Sequence, residues 1–243
     1  MNVRRGRTAA VLLALLAPGV AGAADLKGSF TIAFQAGTQS ELAGDLLKGA
    51  SGSLIGKPTT IDSLRYRDVY NPDLRLQGLL GYGVGERVEL VARVTWYEAD
   101  AAQGLEAGSR DGKPVYAYFG PSEEVGFEVG VRFYISASGR LKSYVAPVAG
   151  VRFLSEVLVS FSVPDAGSAL LNLPFGQEGA VPVFGLDLGF TFDLSSRIFL
   201  GIDTGLRYQG APSAFEGLEG LPAIDDSDGR WTAPVVASIG VRF

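Results

Sequence analysis

The sequence predicts an all-β chain: eight strands in a closed antiparallel up-and-down barrel that crosses a membrane. Three observations predict it. Eight segments alternate apolar and polar residues with the two-residue period of a strand. The connections between them alternate long and short. The charges within the segments gather on the face opposite the large apolar residues.

The strands read, in order, Gly28 to Gln35, Leu74 to Tyr82, Arg87 to Glu98, Val125 to Ile135, Leu141 to Phe153, Val181 to Phe192, Ile198 to Gln209 and Trp231 to Phe243. The last is the clearest: Trp231, Val235, Ile239, Val241 and Phe243 share one face, and Thr232, Ser238, Gly240 and Arg242 the other. Its length is roughly 30 Å along the membrane normal at about 3.3 Å per residue and a 40° tilt, which fits a bilayer. Long connections are expected over Ala36 to Asp73, Ala99 to Glu124, Leu154 to Ala180 and Gly210 to Arg230. Short ones are expected over Gly83 to Glu86, Ser136 to Arg140 and Asp193 to Arg197. Membrane barrels put short turns in the periplasm and long loops outside with an even strand count, and all seven connections fall on the side this demands.

The start of the chain carries Arg4, Arg5 and Arg7, an apolar run from Ala9 to Ala17, a Pro18-Gly19 break and Ala21-Gly22-Ala23. This pattern predicts a signal peptide over residues 1–23, cleaved to leave one barrel domain over residues 24–243. Removal of those three arginines lowers the formal charge from −5 to −8, so nucleic acid is not an expected partner. Without cysteine the fold has no disulfides. Beyond the signal peptide no apolar stretch approaches the roughly 20 residues a membrane helix requires, although hydrophobic residues make up 47% of the chain.

The outward face holds aliphatic residues edged by aromatics. Phe34, Trp96, Phe153, Tyr208 and Trp231 are expected near the loops and Tyr82, Phe133 and Phe192, with Phe243, near the turns, as two girdles at the membrane interfaces. The inward face collects Arg75, Glu89, Arg93, Glu128, Arg132, Lys142, Arg152, Asp187, Asp203, Arg207 and Arg242, with Gln77, Thr95, Tyr134 and Tyr144. Charges in hydrocarbon cost a few kcal/mol, so these look into the lumen. Eight strands enclose just enough space for side chains to fill, so these charges are expected to interlock as a plug. Arg75, Lys142 and Arg242 are expected toward its ends and Glu128 among the arginines at its centre. A ten-stranded alternative, with Val115 to Phe119 and Glu156 to Val163 inserted, has a wider lumen; otherwise these segments extend strands beyond the membrane.

Together these features resemble the small outer-membrane barrels typified by the OmpA membrane domain, OmpX and OmpW. The resemblance covers the whole mature chain and is architectural, with no motif for one subfamily. It implies an outer-membrane location, contact with outer-membrane lipid and lipopolysaccharide, and delivery by the barrel-assembly machinery, for which Ile239, Val241 and Phe243 match the terminal recognition signal. It implies either a structural or surface-interaction barrel or a narrow pore for ions or small hydrophobic solutes. The barrel hydrolases and acyltransferases of this membrane use histidine, and this chain has none; no enzyme activity, cofactor or metal site is expected. Asp225-Asp226 reads as a solvated pair rather than a catalytic dyad.

The long loops carry any specificity. Glu41 to Lys48 is expected as a short amphipathic helix with Leu42, Leu46 and Leu47 on one side. Leu170, Leu171, Leu173 and Phe175 in the third loop, and Phe215, Leu218, Leu221 and Ile224 among acids in the fourth, either cap the mouth or meet a surface protein or hydrophobic solute. Lys57, Arg65, Arg67, Arg110, Lys113 and Arg230 are expected above the lipid band, where lipopolysaccharide phosphates sit.

Overall fold

The computed structural model describes residues 26–54, 56–136, 139–164, 167–213 and 227–243. The expected signal peptide over residues 1–23 lies outside the described residues. So do Phe215, Glu216, Leu218, Glu219, Leu221, Ile224, Asp225 and Asp226 of the fourth loop.

In chain order the elements are β1 Phe30–Ala43, β2 Asp45–Leu47, β3 Ala50–Leu54, β4 Lys57–Ile61, β5 Leu64–Arg65, α1 Tyr66–Val69, β6 Asp73–Gly85, β7 Val88–Ala99, β8 Leu105–Arg110, β9 Lys113–Phe119, β10 Ser122–Ser136, β11 Leu141–Leu154, β12 Val157–Val163, β13 Ser168–Gly176, β14 Gly179–Asp193, β15 Ile198–Gln209 and β16 Arg230–Arg242. Eight of these strands close a barrel in the order β1-β6-β7-β10-β11-β14-β15-β16, every neighbour antiparallel. Closure leaves no edge: Thr31 faces Gly81 on one side and Arg242 on the other. The eight strands predicted from alternation are these eight, so the ten-stranded alternative is not what forms.

The barrel is inside out relative to a soluble protein. Phe30, Ile32, Leu80, Val94, Phe127, Val129, Phe184, Leu188, Phe190, Ile202 and Ile239 are exposed on its wall, while arginines and carboxylates are buried within. Such a wall needs a hydrocarbon surround, and closing the strands on one another gives its backbone ladder partners on both sides.

The long connections are built rather than open. A second, six-stranded sheet, ordered β13-β12-β9-β8-β4-β3, lies beyond the barrel. Its β9–β12 pair continues the barrel hairpin β10–β11 in register: Glu124 faces Leu154, and five residues further along each strand Phe119 faces Val159. Val115 to Phe119 and Glu156 to Val163 therefore extend barrel strands outward. One face of this sheet packs Val115, Ala117, Phe119, Val159, Phe161 and Phe175 against Leu46, Leu47, Tyr66, Val69, Tyr70 and Tyr97.

The expected helix over Glu41 to Lys48 does not form. β1 runs on through Ala43 against β16, and Gly44, at φ +120°, turns the chain into β2. The ladder hydrogen bonds of a long strand outweigh the helical spacing of three leucines in so short a stretch. Leu46 and Leu47 are buried under the outer sheet while Leu42 is exposed. In the third loop, β13 buries Phe175, partly covers Leu170 and Leu173, and leaves Leu171 exposed.

Candidate functional site: the charged lumen

Strand alternation turns every second residue of the barrel inward, and the register brings charges from different strands to the same depth. Glu128 on β10 sits among four arginines. Its Oε1 lies 3.2 Å from Arg152 Nη2 and 3.5 Å from Arg75 Nη2. Its Oε2 lies 3.1 Å from Arg207 Nη2 and 3.8 Å from Arg93 Nη1. Asp187 on β14 takes the other sides of two of these arginines, accepting from Arg207 Nη1 at 2.5 Å and Nη2 at 2.9 Å and from Arg93 Nη1. Arg75, expected near an end, belongs to this central cluster. β6 begins only two residues earlier, at Asp73, but β1 runs six residues past Gly37, the residue opposite Arg75, so Arg75 lies well below the mouth.

Toward the turns, Glu89 accepts from Thr31 Oγ1 at 2.5 Å, Tyr134 Oη at 2.9 Å and Arg132 Nη1 at 3.3 Å. Asp203 accepts from Gln35 and Tyr144, and the Arg132 guanidinium stacks 4.5 Å above the Tyr144 ring. Tyr144 fits because its neighbour is Gly189, where any Cβ would overlap the phenol. Below these, Lys142 donates to Asp193 at 2.6 Å and Arg242 to the same carboxylate at 3.5 Å, at the end where both were expected.

Toward the loops, Arg152 donates to Glu124 at 3.0 Å, and Arg230 contacts Glu124, Glu41 at 3.5 Å and Gln209 at 3.2 Å. Arg230, read from the sequence as a rim charge for phosphate, is buried, with its guanidinium 4.8 Å above the Tyr66 ring. It opens β16 on the same face as Thr232 and Arg242, and that parity turns it inward. Burial pushes the phenols of Tyr66 and Tyr70 above their ordinary value, against the pull of Arg230. Lys57, Arg65 and Arg67 are exposed outside the barrel, and Arg110 and Lys113 are half-buried there.

Among the described residues the buried charges are eight cations and seven acids. Sequence reasoning missed Glu41, Glu124 and Asp193 because it ended the first and third of their strands early and began the second late, though each keeps the inward parity of its strand. It also missed inward Leu79, Val91 and Phe199, which cluster with Ala33 and lack the charge that marked the rest. The gap left between Arg75, Arg93, Asp187, Asp203 and Arg207 is about 10 Å³, no more than one water fills.

The turn-side mouth has a stopper of its own. Leu26, before β1, is 0% exposed and packs inside against Tyr134, Tyr144 and Ala146. Ser29 donates to the Leu26 carbonyl through its hydroxyl at 2.6 Å and its amide at 3.0 Å, and Gly28 N bonds Gly83 O at 2.7 Å. Gly83 is required here, since a Cβ would collide with that carbonyl.

Of the girdle residues, Phe34, Tyr82, Phe133, Phe153, Phe192, Tyr208 and Trp231 are exposed on the outer wall and Trp96 is half-exposed there. Tyr208 and Trp231 pair across β15 and β16 with ring centres 5.3 Å apart. Phe34 does not stand near the loops, because β1 continues nine residues past it. Ile239, Val241 and Phe243 face outward, and Phe243 is tied to β1 by its amide on Phe30 O at 2.8 Å.

The strand pairing thus defines a closed eight-stranded antiparallel barrel, apolar outside and charged within. No protein-family model and no curated protein matches the chain. Among solved structures it is similar to the neisserial surface protein NspA (12% identity over 89% of this chain and 100% of that one, TM-score 0.47). It is similar also to the outer membrane protein OprG of Pseudomonas aeruginosa (11%, 89% and 96%, 0.47) and to the Escherichia coli outer membrane protease OmpT (7%, 93% and 99%, 0.43).

Proposed function

We propose that the chain is an outer-membrane barrel that works as a shut, non-enzymatic scaffold holding a structured sheet above the membrane for surface interaction. One observation carries this reading: Glu128, with 0% side-chain exposure, is surrounded by Arg75, Arg93, Arg152 and Arg207, and the gap beside them is only about 10 Å³. Paired charges packed from Glu41 and Arg230 at one end to Asp193 and Arg242 at the other oppose passage, because an ion entering must displace partners that have nowhere to go. The apolar wall supports the membrane setting, and a cleaved export signal over residues 1–23 belongs with it. Recognition of Ile239, Val241 and Phe243 by the assembly machinery, and of lipopolysaccharide phosphate by exposed Arg65 and Arg67, belong to the same proposal.

Planar-bilayer recording of the refolded mature chain tests it. A shut barrel shows no steady conductance. Steady, large conductance replaces this reading with that of a narrow pore.

A further inference from the structure

Pro147 stands inside β11 and breaks a barrel ladder. The β10–β11 pairing holds at Gly130 with Val148 and resumes, in the same register, at Phe133 with Val145. Pro147 lies in that break, opposite Val131. Tyr134 N bonds Arg87 O beside β7, so alternation turns the backbone groups of Val131 the other way, toward β11. Asp193 N bonds Arg140 O, which by the same alternation turns those of Pro147 toward β10. The ladder donor for the Val131 carbonyl would therefore be the N–H of residue 147, and proline has none. Pro234 interrupts β15–β16 in the same way, between the Thr204–Val235 and Arg207–Thr232 pairs.

The break at Pro147 opens onto a recess in the lipid-facing wall. Val131, Pro147 and Val148 line it, and its volume is about 940 Å³, within the ~300–1,000 Å³ range of small-molecule sites. The register makes the hollow. One outward row runs Ile32, Leu80, Ala92, Val129, Ala149 across five adjacent strands, so Ala92 and Ala149 form a low floor between taller neighbours. The described residues that line it are all uncharged. The next outward row toward the turns runs Phe30, Tyr82, Leu90, Val131, which sets the Val131 carbonyl level with Tyr82 of the turn-side girdle. In hydrocarbon an acceptor without a donor is costly, because no water relieves it. An uncharged recess with such an acceptor at its interfacial end complements a hydrocarbon chain that ends in a hydroxyl.

We infer that the recess seats a neutral single-chain lipid of the surrounding bilayer, its chain over Ala92 and Ala149 and its hydroxyl donating to the Val131 carbonyl. This rests on the barrel lying in a bilayer, which is tested separately by flotation of the folded chain with lipid vesicles.

Native mass spectrometry of the folded mature chain, released from an amine-oxide detergent that carries no hydroxyl, tests the site with 1-hexadecanol and hexadecyl methyl ether at equal concentration. The two probes differ in one donor. The alcohol adduct is expected about tenfold more populated, the size of one hydrogen bond to an otherwise unpaired buried group. Pro147→Val supplies the missing N–H and brings the alcohol down to the ether, and Pro147→Ala carries the same expectation should that variant not fold. Pro234→Val mends the other ladder, on strands that do not line the recess, and leaves the preference as in the parent. Ala149→Leu fills the floor and removes both adducts. Equal adducts in the parent, a preference that survives Pro147→Val, adducts indifferent to Ala149→Leu, or a dimer of the chain in place of an adduct overturns the site while leaving vesicle insertion intact.

Discussion

Arg207 on β15 reaches across the lumen to Glu128 on β10, three strands around the ring, and donates to one carboxylate oxygen through Nε at 3.3 Å and Nη2 at 3.1 Å. The same guanidinium grips Asp187 at 2.5 and 2.9 Å. One arginine therefore ties two acids, and Glu128 ties it to three further arginines. Glu128→Gln removes the one anion that all four arginines share, which costs about 3–5 kcal/mol for a buried ion network left unpaired. The urea midpoint of the barrel in lipid vesicles falls accordingly, and brief channel openings become more frequent in planar bilayers. A variant as stable and as silent as the parent contradicts the central role of Glu128.

Leu26 and Gly83 make the second lever. The chain lacks cysteine, so Leu26→Cys is a clean reporter. Burial of a side chain this size is worth about 1.5–3 kcal/mol, which slows labelling by a soluble maleimide about tenfold or more relative to the urea-unfolded chain. Adding Gly83→Ala expels the segment and restores fast labelling. Equal rates with and without Gly83→Ala show that Leu26 is not seated in the mouth.

The outer cap has an alkaline limit. Tyr66 and Tyr70 lose their protons less readily in the folded chain than at the ordinary value of 10.0, because burial disfavours the phenolate. A raised folded value means full stability below about pH 10 and a loss as pH rises beyond it, since the unfolded chain then releases protons first. Tyrosinate absorbance and proteolytic susceptibility of residues 45–70 are expected to rise together above pH 10. Phenylalanine at both positions removes that coupling.

Orientation is checked by trypsin on intact cells. Lys57 and Lys113 stand beside the tips of the β3–β4 and β8–β9 hairpins, and Lys57 meets Asp111 at 2.9 Å. Both lysines precede proline, which blocks trypsin, so cleavage is expected at Arg110 in the β8–β9 tip and at exposed Arg67, and not at Arg87 or Arg197, which sit in turns at the opposite end of the barrel. Surface cleavage at either turn inverts the topology.

By itself the sequence determined the eight barrel strands, their up-and-down order and which face of each looks inward, because alternation with period two is a local property and one charged position sets the parity of a whole strand. Asp187, Asp203 and Arg207 were legible for that reason. Tertiary structure alone decided who meets whom. The depth of Arg75 depends on how far β1 extends beside it, and the burial of Arg230 depends on Tyr66, Glu41 and Glu124 arriving from three other segments. The loop-side continuation of β1 was hidden as well: Glu41 to Lys48 has helical spacing, but its backbone found ladder partners in β16 and β5, which lie far along the chain or across a turn. Leu26 is the sharpest case. A single leucine ahead of the first strand carries no period, and only closure of the ring creates the mouth it fills.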